Sequence, residues 1–118
     1  MAVAGVDAML TRRPENATIL AGDEAVLVCA TSENRPVDWR HHPSSSSSSS
    51  MRWNQVYTAD IFVWDRGRPA AVLRNVTTRE YTLVIQNVTT DHSGTYSCVD
   101  RAGLGPDEAS AELTVIGK

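Results

Sequence analysis

Three consecutive residues, Asp91, His92 and Ser93, are of the types that make up the catalytic triad of a hydrolase. In a triad the serine is the nucleophile, the histidine accepts its proton, and the carboxylate orients the histidine. Consecutive residues in a tight turn cannot relay a proton in line, so the residue types alone do not make such a site. The sequence therefore predicts no catalytic residue, and we expect a protein that is not an enzyme.

Metal and phosphate binding have equally little support in this sequence. His41 and His42 alternate to opposite faces of an extended segment, and His92 belongs to another turn, so the histidines do not converge as metal ligands must. Gly103-Leu104-Gly105 is too short to cradle a phosphate, and it precedes a strand rather than a helix. We expect no metal and no cofactor.

Length, charge and hydropathy limit the remaining classes of function. The 118 residues suffice for one domain with one core, and the net charge of −3 includes no Lys/Arg cluster that could neutralise successive phosphates. No apolar run approaches the roughly eighteen residues that cross a bilayer, and the start, Met1 to Val6, lacks the charged segment of a signal peptide. We expect no nucleic-acid partner, no membrane insertion by this segment, and a domain taken from a longer protein.

Alternation of apolar and polar residues predicts short strands that would position any binding residues. The predicted strands cover residues 8–11, 17–20, 25–29, 37–42, 61–64, 71–76, 81–85, 95–99 and 111–115. In the strand at 25–29, Ala25, Leu27 and Cys29 point to the core. In the strand at 37–42, Val37, Trp39 and His41 share one face, whereas Asp38, Arg40 and His42 share the other.

The middle of the chain combines a serine run with an aromatic strand. Residues Ser44 to Ser50 cannot bury apolar surface, so we expect them to form a mobile, passive loop. The strand at 61–64 follows, with Phe62 and Trp64 predicted to face outward and Ile61 and Val63 inward unless a bulge intervenes. Trp53 and Tyr57 lie between these segments, where they could fold back on a sheet or belong to a further strand.

Several motifs in fixed order resemble one family. The segment Asp91-His92-Ser93-Gly94-Thr95-Tyr96-Ser97-Cys98, preceded by Leu83-x-Ile85-x-x-Val88, resembles two successive strands of an immunoglobulin superfamily domain. Gly22-Asp23-Glu24-Ala25-Val26-Leu27-Val28-Cys29 resembles an earlier strand of that family. Trp39-Arg40-His41-His42-Pro43 is similar to variable-type domains and to adhesion domains of the myelin protein zero type. The resemblance covers nearly the whole chain and implies an all-β, V-set immunoglobulin-like sandwich.

The resemblance also assigns the strands to sheets and sets the domain limits. It implies one sheet of the strands at 8–11, 25–29, 81–85 and 71–76. The other sheet, whose outer surface the family calls the GFCC′ face, would contain the strands at 17–20, 111–115, 95–99, 37–42 and 61–64. Residues 1–7 would be a tail, residues 8–116 the domain, and residues 117–118 a linker.

A disulfide between Cys29 and Cys98 is what the resemblance implies for the core, with Trp39 packed on the sulfurs. Tyr96, Leu83 and Ile85 would complete that core. A disulfide requires an oxidising compartment, so we expect an extracellular protein, with two free thiols in a cytosolic protein as the alternative.

An ion pair at the base of the sandwich is a further implication of the resemblance. We expect Asp91 to accept from an arginine, with Arg74 preferred over Arg68.

The last strand departs from rearranged antigen receptors. Those receptors have a Gly-x-Gly bulge where this chain has Glu108 and Ser110. The resemblance is therefore to I-set adhesion modules in this strand, and to variable-type receptors of invertebrate chordates in the chain as a whole.

Three N-glycosylation sequons begin at Asn16, Asn75 and Asn87. About one would be expected by chance, so three of them favour a glycosylated extracellular surface.

Function is expected to reside in a protein interface. We predict that a protein partner, in the simplest case a second copy, binds the GFCC′ face. The predicted contact residues are Asp38, Arg40, His42, Phe62, Trp64, Ser97, Val99, Arg101 and Leu104. The alternatives are a structural spacer in a multi-domain protein, and antibody-like binding of a microbial or small ligand by the loops.

Overall fold

The computed structural model describes residues 10–32, 37–43, 55–58, 61–65, 67–100 and 108–117. In these ranges the chain forms strands joined by turns, with a single 3-10 turn at Thr90–His92. The strands are β1 Leu10–Arg12, β2 Ala17–Leu20, β3 Ala25–Thr31, β4 Val37–Pro43, β5 Gln55–Thr58, β6 Phe62–Asp65, β7 Arg68–Asn75, β8 Glu80–Ile85, β9 Gly94–Asp100 and β10 Glu108–Ile116. The serine run lies outside the described residues.

Two five-stranded sheets pack face to face. The first sheet has the order β1-β3-β8-β7-β6, and the second sheet has the order β2-β10-β9-β4-β5. Neighbouring strands are antiparallel, except that β2 and β10 run parallel. The predicted all-β immunoglobulin-like sandwich is confirmed.

The core lies where inward-facing residues of the two sheets meet. β10 alternates buried and exposed residues along its whole length, as a strand with one solvated face must. Trp39, Tyr96, Leu83 and Ile85, which the sequence assigned to the core, are each at most 1% exposed.

The Cys29–Cys98 disulfide is confirmed and joins β3 of the first sheet to β9 of the second, with 6.5 Å between the Cα atoms. Trp39 lies directly opposite Cys98 in the β4–β9 ladder. Its indole Nε1 donates to the carbonyl of Tyr81, at 3.3 Å, so the buried polar atom of the ring has a partner.

The strand predicted at 61–64 lies in the other sheet from the one expected. β6 pairs with β7 in the first sheet, and the strand beside β4 is β5 instead. The cause is a tight hairpin, because Asp65 pairs with Arg68 and the intervening turn contains Gly67 at φ 78. A hairpin this short keeps β6 in the sheet of β7. Ile61, expected inward, is half exposed because it precedes the strand.

The chain enters and leaves the sandwich at opposite ends. Leu10 pairs with Thr31, at the far end of β3. Ile116 pairs with Leu20, and its carbonyl accepts from Ala21, close to the start of β3. β3 spans seven residues, which separates the two ends by roughly 20 Å.

Candidate functional site

The outer surface of the second sheet brings together five of the nine predicted contact residues. Asp38 lies opposite Val99 and Arg40 opposite Ser97, and His42 follows on β4. These side chains, with Ser110 and Glu112 of β10 beside them, form what we call the polar face. Ser97 is nearly buried, and its hydroxyl bonds to that of Ser110 at 2.7 Å. The polar face thus has few apolar groups to bury against a partner.

Two of the remaining predicted contact residues do not join this surface. Phe62 and Trp64 belong to the first sheet, because β6 pairs with β7. Arg101 and Leu104 lie outside the described residues. The prediction of one surface that combines the charged residues of β4 with the two aromatic rings is therefore wrong.

The outer surface of the first sheet is apolar instead. Phe62 pairs with Ala71, Ala71 with Val84, and Val84 with Val26, so a single apolar row crosses four strands. Trp64 and Leu73 extend this row on either side. We call the six outward side chains the apolar face: Val26, Phe62, Trp64, Ala71, Leu73 and Val84.

Exposure of the apolar face is unusually high for large hydrophobic side chains. Trp64 is 65% exposed, Leu73 58%, Phe62 56% and Val26 44%. The rings of Phe62 and Trp64 meet edge to face, with centroids 5.5 Å apart. A groove of about 330 Å³ runs along the face, with Glu24 and Gln86 on its rim. Monomeric proteins rarely leave a contiguous apolar patch of this kind in water unless it is used for binding.

A buried polar cluster at one end of the sandwich is the second notable arrangement. The Tyr57 hydroxyl of β5 donates to a carboxylate oxygen of Asp65 on β6, and both residues are at most 2% exposed. His92 Nε2 lies 3.0 Å from the carbonyl of Asp65 and 3.9 Å from its carboxylate. The cluster therefore ties β5 of the second sheet to β6 of the first.

His92 owes its position to the 3-10 turn. Its Nδ1 accepts from the amide of Thr89 at 2.9 Å, which completes a capping box, so the ring proton that reaches Asp65 lies on Nε2. The carbonyl of His92 accepts from the Tyr96 hydroxyl at 2.6 Å, and the Tyr96 ring stacks on His41 at 4.1 Å. The Ser93 hydroxyl accepts from the amide of Val115. The residues that resemble a triad therefore stabilise the 3-10 turn and its contact with β10.

The ion pair expected between Arg74 and Asp91 does not form. Arg74 lies opposite Tyr81 at the start of β8, whereas Asp91 follows the other end of that strand. Across the described residues, neither side chain has an ion-pair partner, and both are exposed. Arg68 lies at the correct end, but the carboxylate buried there belongs to Asp65. Sequence reasoning missed Asp65 because the predicted strand ended at residue 64.

The three sequon asparagines are exposed at three different places. Asn16 precedes β2 and accepts from the amide of Glu112, at 2.8 Å. Asn75 ends β7 and accepts from the amides of Thr77 and Thr78, which leaves its side-chain nitrogen as the outward group. Asn87 has a φ of 54, in the turn after β8.

Metal-binding side chains do not cluster in the described ranges. No three His, Cys, Asp or Glu residues there lie close enough to hold a metal ion. No helix in those ranges is long and apolar enough to span a bilayer.

Comparison with known proteins supports an immunoglobulin fold. A family model described as immunoglobulin domain matches residues 9–100. The netrin receptors DCC of Rattus norvegicus and Homo sapiens are 34% and 33% identical over 111 residues, or 89% of this chain. The chain spans only 6% of the length of these relatives.

Solved structures of titin domains are similar in fold. A titin M10 complex with obscurin-like 1 matches with a TM-score of 0.63 and 23% identity, covering 92% of both chains. A structure of titin A168169 matches with a TM-score of 0.64 and 20% identity, covering 92% of this chain and 47% of that one.

Proposed function

The chain belongs to the immunoglobulin domain family, and on that premise we propose that it is an extracellular recognition or adhesion domain that binds a protein partner through the apolar face. The observation that carries this proposal is the row Phe62, Ala71, Val84 and Val26, which crosses four strands, with Phe62 and Val26 exposed and Ala71 and Val84 partly buried. Rigid aromatic anchors such as Trp64 are the side chains that dominate binding energy at protein interfaces. The polar face is the alternative docking surface.

A panel of cell-surface and secreted proteins from the same organism, screened against the multimerised domain, tests this function. We expect Leu73→Glu to weaken binding to any partner found by about thirtyfold, because it places a charge in the apolar interface. His42→Glu, which adds the same charge on the polar face, is the matched control and should change the affinity less than about threefold. Surface plasmon resonance measures both.

The reverse pattern, with His42→Glu harmful and Leu73→Glu silent, would move the interface to the polar face. If no protein in the panel binds more tightly than to an unrelated immunoglobulin domain, the recognition function is wrong.

A structural spacer is the second candidate function. It is favoured by Leu10 and Ile116 lying at opposite ends of the sandwich, since such a domain can be joined end to end with its neighbours. The relatives named netrin receptor are also far longer than this chain. Antibody-like binding by loops involves residues 33–36 and 101–107, outside the described residues, and has no observation in its favour.

The finer subtype is also a proposal. β5 beside β4 corresponds to the additional strand that variable-type domains carry on this sheet. β6 lies in the opposite sheet, whereas variable-type domains have their second additional strand in the sheet that contains β4. We infer a variable-type domain with a rearranged edge.

An extracellular location and glycosylation form a separate proposal. Secreted protein from eukaryotic cells is expected to lose mass on treatment with an N-glycanase, and Asn75→Gln is expected to remove one glycan, because the Asn75 side-chain nitrogen faces outward. Intact-mass spectrometry measures both changes, with Asn34→Gln, which alters no sequon, as the control. An unchanged mass after enzyme treatment would contradict the proposal.

A further inference from the structure

β6 is an edge strand, and some of its backbone hydrogen-bonding groups point away from β7. It pairs with β7 on one side, and within the described residues no strand lies on its other side. Trp64 lies opposite Pro69, which has no amide proton, and the Pro69 carbonyl accepts from Gln86 of the turn after β8. Because antiparallel bonding alternates along a strand, Val63 and Asp65 bond to β7, and the backbone groups of Phe62 and Trp64 point to the free edge.

We propose that a second copy of this chain pairs antiparallel with β6 along this edge, on a twofold axis that passes through Val63. In this register Phe62 lies opposite Trp64 of the partner subunit, and Trp64 opposite the partner's Phe62. The inference rests on the proposed recognition function and specifies the partner for the edge of the apolar face.

Hydrogen bonding and side-chain packing select the same register. Phe62 and the partner's Trp64 are residues whose backbone groups face the edge, so each of the two symmetric pairs exchanges two bonds. Their rings lie on one surface of the sheet, where cross-strand aromatic pairs pack directly. The twofold axis would gather four rings, of which each protomer already holds two edge to face.

No charge on Phe62, Val63 or Trp64 opposes pairing with a second copy, and these residues offer no charge that would attract an oppositely charged partner instead. A residue that lies on a twofold axis faces its own copy, so a charge there would meet a like charge. Phe62, Val63 and Trp64 are all uncharged, and the carboxylate of Asp65 is buried and bonded to Tyr57. Natural edge strands usually carry a lysine, a proline or an inward charge against such pairing. Phe62, Val63 and Trp64 carry none, and the inward charge of β6, Asp65, follows the aromatic positions and is bonded to Tyr57.

The surface area that the proposed dimer would bury determines how tightly two domains associate. Four rings that are about 60% exposed would bury roughly 500 Å², well below the 1,200 Å² or so of a stable complex. The dimer is therefore weak for a single pair of domains. Display of many copies on two surfaces raises the effective concentration and makes such a contact useful for adhesion.

A cysteine at the axis tests the register directly. In Val63→Cys the two introduced thiols would face each other across a closely spaced pair, within reach of a disulfide. Under mild oxidation we expect covalent dimer to form about tenfold faster than in Thr11→Cys, an exposed edge position of β1 in the same sheet. Non-reducing electrophoresis measures the rate. Equal rates in the two variants would overturn the proposal.

Charge variants in the Val63→Cys background check the aromatic contact. In that background, Trp64→Lys should lower the rate of covalent dimer formation to the rate measured for Thr11→Cys. Combining Phe62→Glu with Trp64→Lys should restore it, because the register places the carboxylate introduced at position 62 opposite the ammonium introduced at position 64 of the partner subunit. Failure of the double variant to restore cross-linking would refute this register. Loss of the dimer while Leu73→Glu still weakens binding of another protein would leave the proposed function intact and remove only the second copy as partner.

Discussion

Replacing Cys29 and Cys98 with alanine is expected to lower the free energy of unfolding by about 4 kcal/mol, because the bridge closes a loop of 69 residues in the unfolded chain. Of the changes considered, this one has the largest effect. A typical domain has only about 5–15 kcal/mol of stability, so this loss removes between roughly a quarter and most of it. Urea unfolding followed by tryptophan fluorescence measures the loss.

Reduction of the unchanged protein separates the cross-link from packing. Reduction keeps both sulfur atoms, so it should cost the loop-closure free energy alone, whereas the alanine variant also loses packing around Trp39. The slope of unfolding free energy against urea should rise in both, because an unfolded chain without the bridge exposes more surface. A loss below about 1 kcal/mol, or two reactive thiols in unreduced denatured protein, would contradict the expectation.

Replacing Asp65 with alanine is expected to cost about 3 kcal/mol, because it leaves the Tyr57 hydroxyl buried without its acceptor. Asp91→Ala is the matched control: its carboxylate is exposed, and we expect a change within about 0.5 kcal/mol. Urea unfolding of both variants gives the comparison.

A double-mutant cycle tests whether the lost stability comes from the hydrogen bond between Tyr57 and Asp65. Tyr57→Phe removes the donor, so in its presence Asp65→Ala should cost measurably less than it does alone. Additive losses, or an Asp91→Ala variant as unstable as Asp65→Ala, would show that the cluster does not hold β5 to β6.

The sequence was sufficient where a residue's environment follows from its immediate neighbours. Alternation in β3 predicted that Ala25, Leu27 and Cys29 face the core, whereas the bridge between Cys29 and Cys98 was implied by the family resemblance. It also predicted outward rings at Phe62 and Trp64. Period two settles which face of a sheet a residue occupies, and the predictions of inward and outward side chains needed nothing more.

Alternation does not settle which of two sheets a strand joins. Gln55–Thr58 is short and largely polar, so the strong β pattern after it was assigned the place beside β4. The hairpin at Gly67 instead places β6 beside β7 in the first sheet. The aromatic part of the candidate interface therefore lies on that sheet. The strand predicted at 61–64 also stopped short of Asp65, and the preferred arginine, Arg74, lies at the end of β7 away from Asp91.

The parallel ladder between β2 and β10 has a mechanical consequence. Because the chain enters at one end and leaves at the other, tension applied between its ends would drag β2 and β10 past each other along a common axis. The four paired positions from Ala17–Leu113 to Leu20–Ile116 would then bear the load together in shear, rather than open one by one like a zip. β6 lies in the other sheet, at the edge remote from β1, off this line of force. A contact made there can hold while the chain is under tension.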